Sequence, residues 1–208
     1  MEAGPALPWI DIYKVLEPSG RIAIGGRLAS IGIAGLTLGG GINYFTNKWG
    51  FAMDNILAYE VVTGKGKVVT ANATHHRDLF WALKGGSNNF GIVTKFTYQT
   101  YEVPTVSTLS AYYLDPALST YSTAIDHLAL FEEVETTAAG GIFTIFYNAT
   151  SDSSIFITLG VQAGSTTPPS YFANFSAIPA AYTLQSVTNV TTLAQVSYIL
   201  NQPEQQSR

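Results

Sequence analysis

Between Ile31 and Ile42 the chain reads Ile31-Gly32-Ile33-Ala34-Gly35-Leu36-Thr37-Leu38-Gly39-Gly40-Gly41-Ile42, a glycine cluster inside an apolar stretch. Few segments constrain a fold as tightly. Backbone without side chains makes tight turns inside a buried sheet, or it lets a large flat ligand lie directly against the main chain. The stretch from Leu28 to Ile42 is too short to span a bilayer, and its glycines make a poor helix. A dinucleotide fingerprint needs G-x-G-x-x-G between strand and helix, whereas Gly32, Gly35 and Gly39 are spaced three and four apart and no helix is expected to follow. A P-loop needs lysine after its last glycine, and Gly41 is followed by Ile42.

The remaining composition narrows the class. Apolar residues make up 47% of the 208 and charged residues 12%, enough apolar content for a sizeable packed core and too much for a disordered chain. The net charge of −4 is carried without any basic run, so no nucleic-acid partner is expected. Cysteine is absent, which removes disulfides, thiolate metal sites and cysteine nucleophiles. Residues 1–9 lack the basic-then-apolar pattern of a signal peptide, and neither a membrane span nor a membrane partner is expected. Four N-x-S/T sequons begin at Asn72, Asn148, Asn174 and Asn189. Sequons also arise by chance, so a soluble protein is expected with secretion and retention equally open.

The pattern predicts a helix over Asp11–Leu16 stopped by Pro18-Ser19-Gly20, and a brief strand at Ile22–Ile24. A hairpin follows, Ile56–Thr63 with Lys67–Ala71 around Gly64-Lys65-Gly66. Thr74 is the expected N-cap of a helix carrying Leu79, Phe80 and Leu83 and stopped at Gly85, and a strand alternates over Ile92–Thr100. Beyond a boundary at Tyr101–Pro104, strands are expected near Thr108–Leu114, Gly141–Asn148 and Ile155–Gln162. Asp115-Pro116 opens a helix with Leu118, Tyr121, Ile125 and Leu128 on one face. The segment 164–181 is turn-rich, Leu193–Leu200 forms a short helix, and 201–208 is a polar tail. The order of elements reads as α+β in two parts.

Two further segments complete a pattern: Asp78-Leu79-Phe80-Trp81-Ala82-Leu83-Lys84-Gly85-Gly86 and Asn89-Phe90-Gly91-Ile92-Val93-Thr94. With the glycine cluster and with Gly50 ahead of Asp54-Asn55, they resemble, in order, the FAD-linked oxidoreductases of the vanillyl-alcohol-oxidase (VAO) type, berberine-bridge-enzyme-like branch. The match runs over about residues 9 to 100, with Ala34 where relatives usually carry glycine. The resemblance implies an α+β fold: the second half of a PCMH-type FAD-binding domain over 1–103, then the start of an α+β substrate domain with an antiparallel sheet over 104–208. It implies FAD as cofactor and a small-molecule substrate, with hydride passing from an alcohol, sugar or amine carbon to the flavin. Gly32, Ile33, Ala34 and Gly35 would line the isoalloxazine and ribityl side through their backbone. Gly39, Gly40 and Ile42 would approach the pyrophosphate and ribityl chain, and Val93 would meet the adenine through main-chain groups.

The departures limit this reading. No Gly-Gly-His flavin loop occurs, and Leu28 stands where relatives carry a flavin-linked cysteine. FAD is therefore expected to bind non-covalently if at all, and no catalytic residue is assigned. The alternative is a truncated, non-catalytic remnant that binds flavin weakly or not at all, its Ile31–Ile42 apolar face exposed and prone to aggregation. His75 and His76 are adjacent and diverge on any element, without a third ligand, so no metal is expected. His127 beside Asp126 lacks a nucleophile partner, and Glu132-Glu133 with Glu135 reads as a solvated helix end. Phe45, Trp49, Phe80, Trp81 and Phe90 are core candidates first and ring-stacking residues second.

Overall fold

The computed structural model describes residues 1–114, 138–150, 153–176, 178 and 183–199. The expected helix from Asp115, His127, Glu132–Glu135 and the 201–208 tail lie outside the described residues. The chain divides into two compact units, Met1–Pro104 with the segment from Thr192 onward, and Thr105–Thr191.

The first unit is built from β1 (Glu2–Ala3), α1 (Trp9–Leu16), β2 (Arg21–Ile22), α2 (Ile33–Leu38), α3 (Thr46–Trp49), β3 (Ile56–Val62), β4 (Val68–Asn72), α4 (Arg77–Ala82), β5 (Ile92–Tyr98) and β6 (Tyr101–Glu102). Its main sheet is antiparallel in the order β1-β5-β3-β4, and β2 pairs separately with β6. In α1, Trp9, Ile10, Ile12, Tyr13 and Leu16 recur at helical spacing and are all buried. Trp9 is the hub of the core. It lies edge-on to Tyr98 at 5.3 Å and tilted against Tyr13 at 5.7 Å, and the contacts continue through Phe96 to Tyr59. A methyl group on Gly25 would sit 2.1 Å from the Trp9 ring, so the indole dictates glycine there.

Several local expectations are corrected by tertiary packing. The strand at Ile22–Ile24 is limited to β2, although Ala23 and Ile24 are fully buried. The two-residue β1 at the N-terminus, invisible as a pattern, pairs Glu2 with Thr97 and Ala3 with Phe96. The helix after the hairpin begins at Arg77, and His76, with φ 48°, holds the N-cap position in place of Thr74. Gly85, with φ 93°, follows that helix as expected of a stop.

The second unit is a four-stranded antiparallel sheet, β10-β7-β9-β8, of β7 (Val106–Leu114), β8 (Ala139–Asn148), β9 (Ser153–Ala163) and β10 (Thr183–Thr191). The register pairs Leu109 with Gly160 and Tyr113 with Phe156, placing them on the face that packs against Phe172, Phe175 and Ile178. Phe175 lies in α5 (Ala173–Ser176), and the Phe172 ring rests on Gly160, where a methyl group would come within 2.5 Å of it. The turn-rich reading of 164–181 thus misses this aromatic plug, and β10 goes unread because Thr183–Thr191 is polar. The last helix, α6 (Leu193–Ile199), packs on α1 in the first unit, with Ser197 accepting from Ala29 N–H at 3.0 Å. Both units are α+β with antiparallel sheets.

Candidate functional site

The glycine cluster is held in place before it becomes helical. Trp9 N–H donates to Ile31 O (2.9 Å), Ile33 N–H donates to Leu7 O (3.0 Å), and Pro8 bridges Gly32. Contrary to the sequence expectation, a helix does follow Gly32. It is the six-residue α2, whose inner face (Ile33, Thr37 and Leu38) is buried. That burial overrides the low helix propensity of the segment. Thr37 Oγ1 and Tyr98 Oη share a hydrogen bond of 2.8 Å, tying α2 to β5. The run's apolar side chains are turned inward by the chain itself, so the expected exposed apolar face reduces chiefly to Ile42, at 52% exposure.

The outer face of α2 is different. Gly32, Gly35 and Gly39 are exposed, and their spacing of three and four puts them on one side. Gly32 has an ordinary extended backbone (φ −69°), and a methyl group on Gly32 or Gly35 would meet nothing within 4 Å. Neither torsion nor packing within this chain requires glycine at these two positions. Ala34 is half-buried, and Ala34 and Gly35 carry N–H groups that precede the helix's own acceptors. Gly39 and Gly40 donate back to Leu36 O and Thr37 O at 3.2 and 3.3 Å, which leaves Gly39 as bare Cα surface and Gly40 buried.

The triple glycine is explained by the fold. Gly40 and Gly41 have φ of 116° and 82°, and their carbonyls accept from Met53 N–H (2.9 Å) and Ala52 N–H (2.8 Å). A methyl group on Gly41 would come within 2.6 Å of the Ala52 side chain. Asp54 Oδ2 accepts from Phe51 N–H, while Asn55 donates to the Trp49 and Phe51 carbonyls and accepts from the Tyr101 hydroxyl at 2.6 Å. The Gly50 to Asp54-Asn55 motif is therefore a brace for this turn.

Asn43 is the residue that sequence reasoning missed. Fully enclosed, it donates to Gly25 O (2.8 Å) and accepts from Phe45 N–H (3.1 Å), joining the Gly25-Gly26 loop to the chain leaving Gly41. Tyr13 completes the brace by donating to Gly26 O at 2.7 Å. A lone amide following three glycines in an apolar run was the available signal.

Val93 is buried in β5 opposite Val61 of β3. β1 covers only Phe96 and Thr97, so the outer edge of β5 from Ile92 to Lys95 has no strand partner among the described residues. The turn Ser87–Phe90 that leads into β5 contacts α2, bringing the two glycine-rich segments together. Of the aromatic core candidates, Phe45 is fully buried, whereas Trp81 (79% exposed) and Phe90 (45%) face outward. His75 Nδ1 pairs with Thr74 Oγ1 at 2.9 Å in an exposed turn, and no cluster of three metal-ligating side chains occurs among the described residues.

Around α2 the ionisable groups are buried phenols. Burial pushes the Tyr13, Tyr44 and Tyr98 hydroxyls well above their ordinary value, so they remain protonated, and those of Tyr13 and Tyr98 serve as hydrogen-bonding groups. The Tyr44 hydroxyl and the Trp9 indole N–H are buried without a protein partner. The chemistry this surface offers is main-chain contact with a flat ligand. Exposed backbone at Gly32 and Gly35, where a methyl group would meet nothing within 4 Å, leaves room for such a ligand to approach the main chain.

Comparison with known proteins follows the same lines. The profile of the FAD binding domain matches residues 1–72. The FAD-dependent monooxygenase prx3 of Penicillium roqueforti is 37% identical over 186 residues, 88% of this chain and 36% of that protein. The VAO-type flavoprotein MtVAO615 of Myceliophthora thermophila C1 superposes with a TM-score of 0.78 at 22% identity, covering 92% of this chain and 35% of that one. The BBE-like 1 protein of Physcomitrella patens superposes with a TM-score of 0.74 at 26% identity, covering 92% and 40%. Fold and glycine-rich surface together define an FAD-binding domain of the PCMH type. The chain belongs to the VAO-type FAD-linked oxidoreductases, related to the berberine-bridge-enzyme-like flavoproteins. It spans about a third of the length of the curated relatives it matches. No helix among the described residues is long and apolar enough to cross a membrane.

Proposed function

We propose that this chain supplies the glycine-rich wall of an FAD site in a flavin-dependent oxidoreductase acting on a small molecule. The observation that carries the reading is the bare outer face of α2. Glycine inside a helix costs roughly 0.5–1 kcal/mol relative to alanine, and nothing in this fold requires it at Gly35. Contact with a ligand supplies the reason. Gly32, Ile33, Ala34 and Gly35 face the isoalloxazine and ribityl side; Ile33 contributes only main chain, since its side chain is buried. Gly39, Gly40 and Ile42 lie toward the pyrophosphate and ribityl chain, and Val93 offers main chain to the adenine. Residues 1–103 serve as the cofactor portion and 104–208 begin the substrate portion, with α6 returning to brace the former.

FAD, when bound, accepts a hydride from an alcohol, sugar or amine carbon. The chain's own residues position it, exclude water from its face and hold it without a covalent link. The test is the visible absorbance of the purified chain before and after adding FAD and after gel filtration. Retained flavin bands that are lost on acid precipitation support non-covalent binding. Colourless protein that retains no FAD would instead favour the non-catalytic reading.

A further inference from the structure

We infer that Asn72 is an N-glycosylation acceptor when this chain passes through a eukaryotic secretory lumen, and that its glycan covers a groove beside β4. The turn after β4 is built around the Asn72 side chain. Its Oδ1 accepts from Thr74 N–H (2.8 Å), Thr74 Oγ1 (3.0 Å) and His75 N–H (2.8 Å), while the Asn72 main-chain N–H donates to His75 O at 2.8 Å. Three donors on one oxygen fix the carboxamide plane and turn Nδ2 away from the turn. Nδ2 has no hydrogen-bond partner among the described residues, and residues 73–78 are all exposed. The Thr74 hydroxyl that the sequon requires is already directed onto the Asn72 carboxamide.

The surface next to Asn72 suits a sugar. An open groove of about 510 Å³ is lined by Val68, Val69, Thr70, Asn72, His75 and His76. Val68 gives it an apolar floor at 64% exposure, and Thr70 and the two imidazoles supply hydrogen-bonding groups around it. A sugar ring pairs an apolar C–H face with polar hydroxyls, so it matches this lining and shields Val68 from water. In the transfer, the Nδ2–H bond gives up its proton and Nδ2 forms a bond to the anomeric carbon of a lipid-linked oligosaccharyl pyrophosphate. The anomeric C–O bond breaks, and the lipid pyrophosphate leaves with the electron pair and takes up the proton. No oxidation occurs.

The sequons at Asn174 and Asn189 lack one or more of these features. Asn189 is mid-strand in β10 with its Oδ1 taken by Val190 N–H, and the sequon at Asn174 spans the buried Phe175 of α5.

The full chain, carrying a secretory leader, is to be expressed in a eukaryotic host and digested with trypsin, which releases Val68–Arg77 with Asn72 as its single sequon. After enzymatic deglycosylation in heavy-oxygen water, most of this peptide is expected with labelled aspartate at position 72. Asn72→Gln should lose one glycan's gel shift, and Thr74→Ser should keep it while preserving the hydroxyl. Secreted chain whose Val68–Arg77 peptide is mainly unmodified, whether or not the other sequons are occupied, overturns the proposal.

Discussion

Thr37 Oγ1 and Tyr98 Oη, 61 residues apart and both buried, share a 2.8 Å hydrogen bond that anchors the glycine-rich helix to the central sheet. Tyr98→Phe leaves the Thr37 hydroxyl in a dry site with its partner gone, at a cost of about 1–3 kcal/mol. Adding Thr37→Val removes the orphan, so the double variant should lose less than the sum of the two singles. A double-mutant cycle by chemical denaturation measures this. Strict additivity would mean the bond carries no coupling.

Gly35→Ala separates cofactor binding from folding. The added methyl group meets nothing in the chain and removes helix-interior glycine, so stability should rise by about 0.5–1 kcal/mol. FAD retention should fall, and Gly35→Leu should abolish it. Denaturation midpoints and quenching of flavin fluorescence provide the two readouts. Unchanged flavin affinity in the leucine variant would remove the outer face of α2 from the site.

Gly41→Ala behaves in the opposite way. The φ of 82° and the 2.6 Å approach to the Ala52 side chain both oppose a methyl group. Strain and overpacking together should destabilise the first unit by about 2–4 kcal/mol. A thermal melt that matches the parent chain would show that the triple-glycine turn adapts.

Asn43→Ala strands the Gly25 carbonyl and the Phe45 N–H inside the core. The expected loss is about 2–4 kcal/mol, from two buried groups left without partners. Asn43→Asp should retain the bond from Phe45 N–H but not the one to Gly25 O. Urea midpoints in the order parent, Asp variant, Ala variant, or parent, Ala variant, Asp variant, distinguish a lost bond from the added cost of a buried charge.

Alkaline pH should unfold the protein through its buried phenols. Burial raises Tyr113 to about 12, and the hydroxyls of Tyr13, Tyr44, Tyr59 and Tyr98 also lie above the ordinary value of 10.0. Above pH 10 the unfolded chain binds fewer protons than the native one, so stability falls as pH rises and is fully present below that point. Tyrosinate absorbance should appear together with loss of circular dichroism. All 12 tyrosines titrating near pH 10 without unfolding would contradict the burial.

The sequence determined what local pattern and chemistry can carry. The amphipathic spacing of Trp9, Ile12, Tyr13 and Leu16 gives α1, and the apolar alternation on either side of Gly64-Lys65-Gly66 gives the β3–β4 hairpin. The three glycine-bearing segments place the chain in its family. Tertiary structure alone decided which glycines serve the fold. Gly25 and Gly41 are shaped by Trp9 and Ala52, residues distant in sequence, whereas Gly32 and Gly35 meet nothing. It also decided that a poor helix former becomes α2, because burying Ile33, Thr37 and Leu38 and bonding Thr37 to Tyr98 outweigh propensity. β1, β10 and the docking of α6 on α1 rest on pairings between distant segments. A window of sequence holds only half of such a contact, since the free energy that selects it comes from the partner.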